Sequence, residues 1–135
     1  MTFRRQLIVI LYRTAAAASA GESDFSDWRV EEETRFDASE ARQGVAVDDR
    51  HIYVIGNEVI GKYDKHSFEL VARWADVANG PIIHFNAGIV VDDRLVVAHS
   101  NYPQVPMTGS VEVFDTATLL PVDSQSLGAY FGSVT

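Results

Sequence analysis

The feature that most limits what this chain can fold into is a repeat. Gly44-Val45-Ala46-Val47-Asp48-Asp49-Arg50 returns as Gly88-Ile89-Val90-Val91-Asp92-Asp93-Arg94, and Lys62-Tyr63-Asp64-Lys65 is echoed by Val113-Phe114-Asp115-Thr116. The leading glycines recur at an interval of 44 residues, and the same step reaches Gly132, the expected opening of a third copy that the chain cuts short. A unit that recurs at a fixed period has an apolar face it cannot bury alone, so each copy is one supersecondary element of a larger array.

The content of each copy is strand-like. In the first, short apolar runs at 45–47, 51–55, 59–63 and 69–74 are divided by Asp48-Asp49-Arg50, Gly56-Asn57 and Asp64-Lys65-His66-Ser67. Asp and Asn at such points hydrogen-bond their own backbone, and Gly or Asn supplies the positive φ of a tight hairpin. The second copy offers runs at 89–91, 95–99, 111–114 and 120–126, but its second and third runs are separated by a loop over 100–109 containing Pro103, Pro106 and Gly109. Four short strands in a period of ~40–50 residues is the pattern of a β-propeller blade. The expected fold is therefore all-β, an incomplete propeller of four-stranded antiparallel blades: blade one at about 44–74, blade two at about 88–127, and a third begun near 130. The run 28–36, upstream of the first blade, is expected to be an outermost strand that completes a blade begun elsewhere in the chain. Propellers have about 4–8 blades, so the chain reads as an amino-terminal fragment of a longer protein.

The aromatic-Asp pairs Tyr63-Asp64 and Phe114-Asp115, each followed by Ser or Thr and an apolar run, resemble the repeats of quinoprotein-like and YVTN-type propellers. The opening Gly-Val-Ala-Val-Asp-Asp is similar to that of glutamine-cyclotransferase-like propellers. The resemblance covers roughly 44–135 and implies architecture alone. Phe68 stands where the quinoprotein repeats have glycine, and no cofactor-binding residue carries over; the cofactor stays unknown.

In such a blade the first-to-second and third-to-fourth turns share one end, and the remaining connections share the other. The first end receives only the tight turns at Asp48, Asp64, Asp92 and Asp115. The second receives the connection 75–87 and the loop after His99. Ligand-binding groups concentrate on irregular loops held by a rigid scaffold, so His84, Asn86, His99, Asn101 and Tyr102 are the candidate ligand-binding residues. A His with an Asn and a Tyr can orient a carboxylate or a sugar hydroxyl; the same residues can equally serve as strand entries and loop anchors. His51 and His66 belong to the other end and read as surface residues. The spacing of His84 and His99 suggests no metal site, and the Asp pairs lack the spacing of a calcium loop. No nucleophile elbow, phosphate-binding glycine loop or dinucleotide fingerprint is present.

Composition narrows the partners. Lys and Arg total 11 against 19 Asp and Glu, a net charge of −8, which disfavours nucleic acid. Cysteine is absent, so no disulfide or thiolate site exists. Residues 1–20 read as a secretory leader: Arg4-Arg5, an apolar run from Leu7, and Ala18-Ser19-Ala20 as a cleavage site, too short to span a bilayer. Residues 21–27 are then a linker, and the destination is periplasmic or extracellular if the leader is real, cytoplasmic otherwise. Two functional classes follow: a propeller that binds a small molecule or protein at its loop-rich end, or a propeller enzyme of lactonase, lyase or cyclotransferase type whose active site is completed by further blades.

Overall fold

The computed structural model describes residues 6–8 and 29–129. Among these residues every regular element is a strand, and no helix is long and apolar enough to cross a membrane. Strand β1 (Gln6–Ile8) pairs antiparallel with β2 (Arg35–Asp37). Strands β3 (Gly44–Val47), β4 (His51–Ile55), β5 (Val59–Asp64) and β6 (Leu70–Ala75) then form one four-stranded antiparallel sheet in chain order. Strands β7 (His84–Val91), β8 (Arg94–Ser100), β9 (Thr108–Asp115) and β10 (Pro121–Ala129) form the second.

The run 28–36 is not the strand expected there. Residues 29–34 carry no regular structure, and pairing begins only at Arg35. Three consecutive glutamates have no alternating apolar face to bury, and Glu32 instead forms an ion pair with Arg35 at 2.5 Å. The cleavage point expected after Ala20, the linker 21–27 and the third copy expected near 130 lie outside the described residues, whereas Gln6–Ile8, within the expected leader, is strand.

The aspartate turns form as their chemistry dictates. The Asp48 carboxylate accepts the amides of Arg50 and His51 at 2.7 and 2.6 Å, and Asp64 accepts those of His66 and Ser67 at 2.8 and 2.9 Å. Asp115 accepts both the amide and the hydroxyl of Thr118. Phe68 and Leu119 close the two equivalent turns with φ of 58° and 56°, the left-handed conformation that glycine adopts most easily. Their side chains offset that strain. Phe68 stacks on Phe36 with ring centroids 5.1 Å apart, and Leu119 is buried between the sheets.

The two sheets pack face to face. Tyr53, Ile55 and Ile60 of the first meet Phe85, Leu95, Val97 and Phe114 of the second, with Trp74 closing the side of this core. The first strands of the sheets approach most closely: a Cβ on Gly44 would lie 3.0 Å from the Asn86 carbonyl oxygen, so only glycine lets β3 come this near β7. The last strand, β10, is exposed along its whole length. The opposite face of the first sheet carries Ile52, Val54 and Tyr63, covered by Phe36, Ala38 and Ala41. That cover is anchored by Glu40, whose carboxylate is buried and bonds Tyr63 Oη at 2.7 Å and Arg73 Nε at 2.9 Å. Gly61 makes room for it, since a Cβ there would stand 3.1 Å from the carboxyl carbon.

The repeat is shifted where the strands meet. Val47 stands opposite Ile52 across four residues, whereas Val91 stands opposite Arg94 across only Asp92 and Asp93. Asp92 accommodates the tighter turn with φ of 51°. His51 and Arg94, each opposite the turn aspartate at the end of its third strand, are thus equivalent at an interval of 43 (94 − 51) rather than 44. A one-residue slip sends every side chain to the other face. Ile52, Val54 and Tyr63 correspond to Leu95, Val97 and Phe114, and Tyr53 corresponds to Val96, not to Val97. The first sheet's covered outer face is therefore equivalent to the second sheet's inner face. The face equivalent to Tyr53 and Ile55 presents Val96, Ala98, Val111 and Val113 on the far side of the second sheet, where Ile89 and Val91 are exposed.

Candidate functional site

The two ends of the paired sheets differ in what their connections do. At the tight-turn end the bonds are structural and bridge neighbouring turns: Lys65 N donates to Arg50 O, Thr116 N to Asp93 O, and the buried Lys62 ammonium to Thr116 O at 2.7 Å. Asp48 accepts Tyr53 Oη at 2.7 Å as well as the two turn amides, and these donors hold its carboxyl down at about 2 despite partial burial. Asp49, His66, Asp92 and Asp93 stand exposed at the same end.

At the other end the three connections β4–β5, β6–β7 and β8–β9 come together. Phe85 N donates to Asn57 O at 2.8 Å and Asp76 N to Glu58 O at 3.0 Å, which ties the inter-sheet connection to the short hairpin turn. Asp76 then orders that connection by accepting the amides of Val77 and Ile82, both at 2.8 Å. The loop expected over 100–109 is narrower, because Ser100 pairs with Gly109 and extends the ladder; the unpaired stretch is 101–107.

All five candidate residues lie at this end, and their side chains divide into two groups. His99 is buried, faces the first sheet and has both ring nitrogens engaged: Nε2 accepts the Ile83 amide at 3.1 Å, so Nδ1 carries the proton and donates to Ser110 Oγ at 2.9 Å. Ser110 passes the bond on to Glu112 Oε1 at 2.6 Å, and Ser124 Oγ donates to the same oxygen. Asn101 spans its loop, accepting the Thr108 amide at 2.7 Å and donating to Pro106 O at 3.1 Å. These two residues anchor connections. His84 and Tyr102 are the accessible pair, with ring centroids 5.3 Å apart and Tyr102 51% exposed. Asn86 sits below them at a β-bulge in β7, between the Phe85–His99 and Gly88–Val97 pairs. Among the described residues no group of three or more His, Asp or Glu side chains is arranged to hold a metal ion.

Sequence reasoning missed Ser100, Ser110, Glu112 and Asp76. Ser110 and Glu112 sit two apart on β9 and so share a face, but their link to His99 depends on the β8–β9 register, which no local pattern reveals.

Burial lowers the His99 pKa below the ordinary histidine value of 6.5, against the opposing pull of the Glu112 charge. A histidine depressed in the folded state contributes stability that is present above the unfolded value and is lost as pH falls through the folded one. Acidification well below the ordinary histidine value should therefore protonate Nε2 and release the Ile83 amide. Imidazole ¹⁵N shifts should report an unprotonated Nε2 at neutral pH, and Ile83 amide exchange should accelerate on acidification; an Ile83 amide indifferent to His99 protonation would refute the assignment.

No family model, no curated protein and no solved structure matches this chain.

Proposed function

We propose that the two sheets are successive blades of a β-propeller and that the chain belongs to a secreted or periplasmic module that binds a small molecule or protein at its loop-rich end. One observation carries the reading. Every elaborate connection gathers at one end, where His84 and Tyr102 are accessible, while at the opposite end Asp48, Asp64 and Asp115 cap their own turns. The propeller part draws support from the close approach of β3 and β7 and from the face equivalence, which leaves Val96, Val111 and Val113 where a further sheet would pack. The enzyme alternative has no comparable support, since the His99–Ser110–Glu112 chain ends on a backbone amide and offers no open position to a substrate.

The test is a fragment screen read by ¹⁵N-resolved NMR on the whole chain. Hits should move the amides of His84, Asn86 and Tyr102, and His84→Ala with Tyr102→Ala should abolish those shifts without altering the spectrum of the tight-turn end. Hits confined to the Asp48, Asp64 and Asp115 turns would sink the proposal. Amino-terminal sequencing of the exported protein tests the leader: a start at Gly21 is expected, and retention of Met1 would remove it.

A further inference from the structure

Ser100 Oγ is the one buried side-chain polar atom among the described residues that has no hydrogen-bond partner, and its residue is 0% exposed. A buried hydroxyl without a partner gives up its hydration with nothing in exchange, and nothing in the strand pairing requires a hydroxyl at this position; alanine would fit the ladder equally well. Its surroundings single it out. Ser100 pairs directly with His84 across β7 and β8, so the two side chains leave the sheet on the same side as close neighbours. The His84 ring in turn meets the half-exposed ring of Tyr102, two residues beyond Ser100 on the unpaired stretch 101–107.

The charge of this end restricts what would complete the group. The three connections 56–58, 76–83 and 101–107 contain no Lys or Arg but do contain Glu58 and Asp76. A carboxylate or phosphate would find no fixed cation on these connections, which disfavours an anionic ligand. What fits is a neutral molecule with a hydroxyl to pair with a buried hydroxyl and an apolar flank to lie on a phenol ring.

From this we infer that Ser100, His84 and Tyr102 form a subsite for a neutral sugar ring: one hydroxyl exchanges hydrogen bonds with Ser100 Oγ and the His84 imidazole, and the C–H face of the ring packs on Tyr102. Because Ser100 is fully buried, admitting the ring requires the side chains that cover it to move, with the half-exposed Tyr102 on the unpaired stretch at the entrance. The inference rests on the ligand-binding reading of this end and adds the residue and ligand class that it lacks.

The experiment titrates the ¹⁵N-labelled chain with methyl β-D-glucopyranoside, and in parallel with sodium acetate, using the wild type, Ser100→Ala and Tyr102→Ala. The glycoside should give saturable shifts at His84, Ser100 and Tyr102, weakened about tenfold by either substitution. Acetate should give none. Ser100→Ala should also raise the thermal midpoint by a few degrees, on the order of 2–4 °C, because it removes an unpaired hydroxyl from the interior. Glycoside binding unchanged in Ser100→Ala would overturn the role of Ser100 while leaving the loop-end reading intact. A lowered midpoint with unchanged binding would show that an ordered water already pairs the hydroxyl, and would overturn the subsite. Saturable acetate binding, or no glycoside response at these residues, would overturn the ligand class even where the fragment screen finds this end occupied.

Discussion

Phe114→Ala is expected to destabilise the fold by about 3–5 kcal/mol. The ring is 1% exposed and lies between the sheets, edge-on to Trp74 at 4.9 Å and to Phe85 at 6.0 Å. Removing it takes away buried area, two aromatic contacts and the partner that keeps β9 seated on the first sheet, and the rings around it come from strands too rigid to close the cavity. A small domain commands only about 5–15 kcal/mol in total, so the loss is a large part of its stability. The paired control is Val113→Ala, one residue away but on the opposite face, where the side chain is only partly buried. That change should cost about 1 kcal/mol or less. Urea denaturation of both variants decides the matter, and equal costs would contradict the face assignment on which the equivalence of the two sheets depends.

Glu40→Ala should detach the segment that covers the first sheet, costing about 2–3 kcal/mol. The Tyr63 hydroxyl is buried and would lose its acceptor, whereas Arg73 is half exposed and would regain water, so the estimate is set by the phenol rather than by the ion pair. Tyr63→Phe removes only the donor of that bond and leaves the Glu40 carboxylate paired with Arg73, so it should cost about 1 kcal/mol. The interaction also has a pH signature. Desolvation pushes the Glu40 carboxyl up, but the bonds from Tyr63 and Arg73 outweigh it and hold its pKa below the usual 4.5. A depressed carboxyl contributes stability that is present above the unfolded value and lost as pH falls through the folded one. Asp48, held at about 2, follows the same rule. The wild type should therefore weaken between about pH 4.5 and 2, and Glu40→Ala should show a smaller fall over that window; an unchanged pH dependence would mean that Glu40 is not the anchor.

The open face of the second sheet bears on how the protein behaves alone. Ile89 and Val91 are exposed and Val96, Val111 and Val113 only partly covered, a β-branched surface of the kind that associates. Its counterpart on the first sheet, carrying Tyr53 and Ile55, is fully buried against its neighbour. The difference lies in the neighbour, not in the residues.

Much of the strand plan was legible because it is local. Aspartate at 48, 64 and 115 ends a strand by bonding the next few amides, and Gly56-Asn57 marks the hairpin between β4 and β5, although neither residue adopts the positive φ expected of it. The same topology assigned His84, Asn86, His99, Asn101 and Tyr102 to one end, and the structure brings them there. Which of them are free was not legible. His99 is consumed by Ile83 and Ser110, and Asn101 by Pro106 and Thr108, through partners that only the folded register delivers.

By itself the sequence determined that the described residues are all-β and where most of their turns fall, since both follow from hydrophobic alternation and from side chains bonding their own backbone. The tertiary structure alone decided which face of each sheet is buried. Matched through their third strands, the second strands of the two sheets correspond one residue away from their sequence alignment. Because a strand's side chains alternate with a period of two, that one-residue offset moves Val97 into the core and Val96 out of it, and leaves Ser100 beside His84 rather than beneath the first sheet.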